Sequence, residues 1–126
     1  VRYEIRGAPL EVYCCHCGEC RRQSASAFGI SVIVRGGDVR LTAGTPKVFA
    51  RPTAVGGQMA CFFCPDCGSR LWHGDPAREA IVSVKGGSLD APPDLTRAAH
   101  IWVSRKLPGV ILPPDAETWP EEPPRD

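Results

Sequence analysis

The chain has 126 residues, 43% of them hydrophobic and 23% charged, ordinary globular values that exclude wholesale disorder and suit one domain. Its net charge of +1 balances 15 Lys+Arg against 14 Asp+Glu, and it has no basic run to follow a phosphate backbone, which argues against nucleic acid as a partner. No apolar stretch approaches the roughly 18 residues of a membrane span, and the opening residues lack the apolar core of a signal peptide; a soluble, cytoplasmic protein is expected.

Residues 1–6 alternate apolar and charged side chains at period two, the mark of a half-buried strand. A second strand over 10–13 runs into a cluster of cysteines, and 21–28 offers at most a single helical turn. Residues 30–35 and 38–42, with Gly36-Gly37 between them, read as a hairpin whose glycines supply positive φ. Further short strands are expected over 47–51, 59–63, 70–73, 81–85 and 100–104, with the 13 glycines and 13 prolines punctuating the gaps. No long helical period and no internal repeat of useful length is visible. The last 12 residues hold Asp115, Glu117, Glu121, Glu122 and Asp126 against Arg125 alone, leaving a body of +5 that suits a small anionic substrate. The expectation is an all-β, metal-braced domain over 1–126, with 113–126 an extended proline-rich C-terminal tail laid on the surface through Trp119.

Seven cysteines fall in two tight groups: Cys14, Cys15, Cys17 and Cys20, then Cys61, Cys64 and Cys67. Their odd number and close spacing fit a disulfide framework poorly and a metal well, because one ion needs several thiolates within about 2.3 Å of itself. Cys64-Pro65-Asp66-Cys67-Gly68 has the turn residues of a zinc knuckle, in which backbone N–H groups point at the sulfurs. Soft ligands without a ferredoxin-type run favour zinc over an iron–sulfur cluster. Two ligand groupings are open. Cys17, Cys20, Cys64 and Cys67 would close one tetrahedral, structural site. Alternatively Cys15, Cys17 and Cys20 occupy three corners and leave a fourth vacant, as in a catalytic zinc site. Three thiolates make zinc a weak Lewis acid, yet a thiol arriving there would lose its proton and remain nucleophilic, which suits formation or cleavage of a carbon–sulfur bond.

Cys15-His16-Cys17-Gly18-Glu19-Cys20-Arg21 followed by Ser24-Ala25-Ser26-Ala27-Phe28 resembles the metal-site signature of the glutathione-dependent formaldehyde-activating family, also called the centromere protein V/formaldehyde-activating domain. Phe63-Cys64-Pro65-Asp66-Cys67-Gly68-Ser69, Gly87-Ser88-Leu89-Asp90, His100-Ile101-Trp102-Val103-Ser104 and Trp119-Pro120-Glu121-Glu122-Pro123 extend the likeness, in order, over nearly the whole chain. The resemblance implies a small zinc fold of stacked antiparallel sheets of the Mss-four type. It also implies a catalytic zinc on Cys15, Cys17 and Cys20, a structural zinc on Cys64 and Cys67 plus an upstream Cys-x-Cys-Gly pair, and a lyase-type reaction joining formaldehyde to the thiol of glutathione. The upstream pair would fall before Val1: the sequence is truncated or starts late, or this member lacks the pair, and Cys61 is a candidate substitute ligand. The family's glycine between the serines is Ala25 here, and Gly109 stands where an aromatic often follows the proline. A non-catalytic zinc-binding interaction module, or a glutathione-binding protein without turnover, is the alternative function.

Among the remaining residues, Arg21, Arg22, Arg70, Lys85, Arg105 and Lys106 are candidates for holding the carboxylates of a glutathione-like thiol, with Arg21 preferred because it adjoins the metal loop. Ser24 and Ser26 either donate to substrate or shape the turn. His16 is expected to face away from the ion, into its surroundings or to solvent, and His73 and His100 to be packed strand residues rather than acid–base groups. Cys14 alternates away from Cys15 and reads as a small buried hydrophobe.

Overall fold

A computed structural model describes residues 1–53 and 56–124. Nine strands account for most of the regular structure: β1 (Arg2–Ile5), β2 (Glu11–Cys15), β3 (Gly29–Arg35), β4 (Val39–Ala43), β5 (Lys47–Pro52), β6 (Gln58–Phe63), β7 (Arg70–His73), β8 (Ile81–Lys85) and β9 (Ala99–Ile101). One short helix, α1 (Gly18–Ser24), joins β2 to β3. Seven strands form one sheet in the order β5-β6-β7-β8-β3-β2-β9, and β1 pairs with β4 in a second sheet of two. All neighbours are antiparallel except β2 and β9. The fold is all-β.

Because side chains alternate across a strand, the large sheet has two chemically distinct faces. The register sets Val12, Val32, Val84, Trp72 and Phe62 side by side across five strands. With Val34, Val82 and Leu71 they form the core, against which Tyr3 and Ile5 of β1 and Val39 of β4 pack. The Tyr3 ring meets Trp72 edge-on at 5.1 Å. The opposite face carries the intervening residues: Cys61, His73 and Ser83 lie in one cross-strand row, and Ser31 stands opposite Lys85 in the next. Five polar or charged residues, His16, Ser31, His73, Lys85 and His100, are nonetheless buried.

The sheet's two edges differ. At β9 the parallel bridge His100–Thr118 and the bonds from His100 N to Glu117 O (2.8 Å) and from Trp119 N to His100 O (2.9 Å) cover the exposed ladder with a later stretch of chain. Arg125 and Asp126, the end of the expected tail, lie outside the described residues. β5, at the other edge, leaves Val48 and Phe49 more than half exposed.

The hairpin expected around Gly36-Gly37 does not form. β3 pairs with β2 and β8, while β4 leaves to pair with β1. Gly36–Asp38 is a turn of 3-10 helix, and neither glycine has positive φ. Gly36 is needed for close approach instead: its N–H donates to Ala80 O at 2.9 Å, and a Cβ there would lie 2.3 Å from Glu79 O. The same device recurs after β8, where Gly86–Ser88 is a second 3-10 turn and a Cβ on Gly86 would meet Ile30 at 2.5 Å. Val34-Arg35-Gly36-Gly37-Asp38-Val39 and Val84-Lys85-Gly86-Gly87-Ser88-Leu89 are thus one short motif used twice. The expected strand over 100–104 also ends early, because Trp102 adopts φ +57 and starts the 3-10 turn Val103–Arg105.

Gly36→Ala should therefore lower stability by about 1–3 kcal/mol, since the collision is with backbone that cannot rotate aside. Gly37→Ala, whose Cβ would meet nothing within 4 Å, should leave the urea midpoint nearly unchanged. Equal midpoints for the two variants would contradict the packing described.

Candidate metal centre and adjoining cleft

The strand β2 delivers Cys15 at its last position, and the chain then turns directly into α1. Cys17 is the N-cap of that helix, in extended conformation, and its sulfur accepts the Cys20 N–H at 3.3 Å, as a serine or aspartate oxygen does at other helix starts. Glu19 in the first turn and Arg21 and Arg22 in the last complement the helix dipole. The helix starts three residues earlier than the sequence suggests because this cap is a sulfur.

Its end is held by the bonds Ser26 N to Arg21 O and Ala25 N to Arg22 O, both 3.2 Å, a Schellman arrangement. That arrangement puts Ala25 at φ +52, the left-handed region that favours glycine. The hydroxyl of Ser24 donates to Cys20 O at 2.7 Å and that of Ser26 to Phe28 O at 2.9 Å, so both serines shape this turn.

The sulfurs of Cys15, Cys17 and Cys20 all lie within 4.8 Å of one another, and among the described residues this is the one such group of three or more His, Cys, Asp or Glu. Cys15 and Cys20 are buried, and Ile101, Tyr13, Trp102 and Trp119 pack around the cluster. Thiol donation from Cys15 and Cys20 holds the Cys17 sulfur far below the ordinary thiol range, whereas Cys15, which donates a hydrogen bond to Cys17, is pushed far above it. Three soft donors converging this closely fit a thiophilic metal ion.

Cys64 and Cys67 do not join this group, so the four-cysteine ribbon is not formed. They sit in the turn after β6, where N–H groups of Cys67 and Asp66 donate to the Cys64 sulfur and draw its pKa down to about 7. Gly68 takes φ +79 to close the turn, and the Val1 ammonium donates to the Cys64 sulfur at 3.4 Å. The knuckle shape is present with two sulfurs. Cys61 does not come together with them; it stands across from His73 on the polar face. All seven cysteines are free. Cys14 is 1% exposed, and burial raises its thiol to about 11.

His16 is fully buried rather than solvent-facing, and it is not part of the sulfur group. Its Nε2 shares a 2.9 Å hydrogen bond with His100 Nδ1, and burial, with His100 and Lys106 adding to it, lowers its pKa to about 4. A neutral histidine pair therefore ties the loop between the cysteines to β9.

Beside the cluster lies an open cleft of about 390 Å³, lined by Gln23, Ser24, Phe28, Gly29, Arg70 and Lys85 among others. Gly29 faces Cys15 across the β2–β3 ladder, and a Cβ there would lie 3.2 Å from Cys20 Cβ. Ser24 and Ser26 line this cleft; Arg21 does not. Its cationic lining comes instead from Arg70 and Lys85, on β7 and β8. Arg70 donates to His73 Nε2 at 2.8 Å, so that histidine is a neutral acceptor, and burial ahead of the nearby cations Lys85, Arg70 and Arg51 lowers its pKa. Of the six basic candidates named from the sequence, Arg70 and Lys85 line this cleft, brought there by strand pairing.

The fold is mainly antiparallel and two-sheeted, and beside its cationic cleft three cysteine sulfurs are clustered closely enough to hold a metal ion. Residues 1–105 match the profile of the family described as glutathione-dependent formaldehyde-activating enzyme, and the chain belongs to that family. The crystal structure of a Rhodobacter sphaeroides protein, a structural-genomics target, shares the fold with a TM-score of 0.57 at 21% identity, over 78% of this chain and 89% of that one. No curated protein matches the chain significantly.

Ala25→Gly should raise stability by about 1 kcal/mol by relieving the left-handed alanine at the end of α1. Thermal unfolding read by circular dichroism checks it; an unchanged or lower midpoint would contradict the strain.

Proposed function

We propose that this chain is a carbon–sulfur lyase of its family's kind, joining a small thiol such as glutathione to formaldehyde or a similar small electrophile. The observation that carries the reading is the meeting of the Cys15, Cys17 and Cys20 sulfurs beside an open cleft. In this reading those three residues hold a zinc ion. Zinc on three thiolates supplies a fourth coordination position at which a thiol is deprotonated near neutral pH while staying nucleophilic.

The chain's own residues prepare the rest. The Cys20 N–H bond orients the Cys17 sulfur, and the short helix fixes the Cys17–Cys20 spacing. The His16–His100 pair anchors the intervening loop, so the three sulfurs are arranged before any ion arrives. Phe28, which lies against His16 at 5.1 Å, provides the apolar wall of the cleft. In the net reaction the thiol sulfur bonds to the aldehyde carbon and the thiol proton ends on the former carbonyl oxygen. A second metal on Cys64 and Cys67 would be structural, since those sulfurs sit apart from the triad.

Cys17→Ser should lose both the metal at the triad and thiol–formaldehyde adduct formation, followed by elemental analysis and by the loss of free thiol. Full turnover in a variant whose triad holds no metal would overturn the mechanism.

A further inference from the structure

Lys85 is the most unusual charged residue in the fold. It is 8% exposed, and none of the ion pairs among the described residues involves it. A buried ammonium without a carboxylate is costly, and proteins seldom keep one without a use for it. Of its three N–H donors, two are given to Ser31 Oγ at 3.1 Å and Ser83 Oγ at 2.9 Å, hydroxyls on β3 and β8. Those bonds hold the amine in place through neutral hydroxyls, with no carboxylate paired to its charge.

Arg70 repeats the pattern. It is half-buried, its guanidinium is held by Gln23 Oε1 at 3.3 Å and His73 Nε2 at 2.8 Å, and it too has no carboxylate partner. Gln23 Oε1 also accepts from Arg51 at 2.7 Å, so a third cation is fastened to the same amide. Burial and mutual repulsion oppose these charges, Lys85 being drawn down to about 8, while the thiols of Cys20 and Cys15 act in the other direction. Both Lys85 and Arg70 line the cleft beside the cysteine triad, and no aspartate or glutamate does.

We propose that this cleft is a carboxylate site, in which Lys85 and Arg70 bind a carboxylate of the thiol substrate and so select an acidic thiol over a neutral one. This rests on the proposed thiol chemistry at the triad for the identity of the ligand. Gln23, Ser31 and Ser83 are positioning residues: they fix the two cations without neutralising them. A carboxylate entering the cleft would gain charge-assisted bonds to groups already desolvated and oriented, where such bonds are strong.

The test separates the carboxylate from the thiol. S-methylglutathione keeps both carboxylates and has no ionisable sulfur, and its diethyl ester lacks the carboxylates. Calorimetric titration of the wild-type protein should show the free acid binding at least about 10-fold tighter than the ester. In Lys85→Met, and separately in Arg70→Gln, that ratio should collapse toward one through weaker binding of the acid. Lys85→Met replaces a buried cation by an apolar chain of similar length, so the fold should survive; Arg70→Gln changes a half-exposed group and guards against its failing. No measurable binding of the free acid, equal binding of acid and ester, or an unchanged ratio in both variants would overturn the proposal. The lyase reading is tested apart from this with glutathione and formaldehyde. Discrimination without turnover removes the lyase and keeps the carboxylate site; turnover without discrimination does the reverse.

Discussion

Everything at the site depends on the register imposed by the core. Trp72, flanked by Val84 and Phe62 across the ladder and capped by Tyr3 from the second sheet, locks three strands relative to one another. With a side-chain period of two, locking the apolar face also fixes the other one, and a slip of one residue would exchange them. His73, Ser83, Lys85 and Ser31 are therefore placed by the packing of valines on the opposite face of the sheet. The polar face is buried as well, and it carries hydroxyls and the neutral His73, which keep its cations fixed rather than neutralised.

The cysteine triad has a different, local origin. A strand ends at Cys15 and a helix starts at Cys17, and the geometry of a helix N-cap brings the sulfur of Cys17 onto the Cys20 N–H. Three sulfurs then gather within one turn of chain. Gly29 makes room for them from the facing strand, and the backbone bonds of His100 to Glu117 and Trp119 bring Trp119 over the same cluster. Glu117 and Trp119 lie beyond residues 1–105, the stretch that the family profile matches.

What the sequence makes readable follows from this division. Features set within a few residues are legible: the strand positions, the cysteine triad and the knuckle turn after Phe63. Features set by pairing are not. Gly36-Gly37 carries the local signature of a hairpin, yet β3 takes β2 and β8 as partners because Val32 and Val34 fit the centre of the sheet. Gly36 avoids a collision with the backbone of Pro76 and Glu79 that local sequence does not announce. The repeated Val-x-Gly-Gly pattern after β3 and β8 was a usable signal for a shared turn. Arg21 has the sequence proximity that suggests substrate binding, whereas Arg70 and Lys85 reach the cleft only through non-local strands. His16 is buried because β9 pairs in parallel beside it, which its position between two cysteines does not reveal.

The central claim is that the Cys15, Cys17 and Cys20 site leaves room for a thiol on a bound metal. The most direct measurement is to load the protein with cobalt and titrate glutathione while recording the thiolate-to-metal charge-transfer absorption. The expected result is saturable growth of that band as a further sulfur enters the coordination sphere. A spectrum already that of a four-thiolate centre, unchanged by glutathione, would contradict the claim and mark the site as closed.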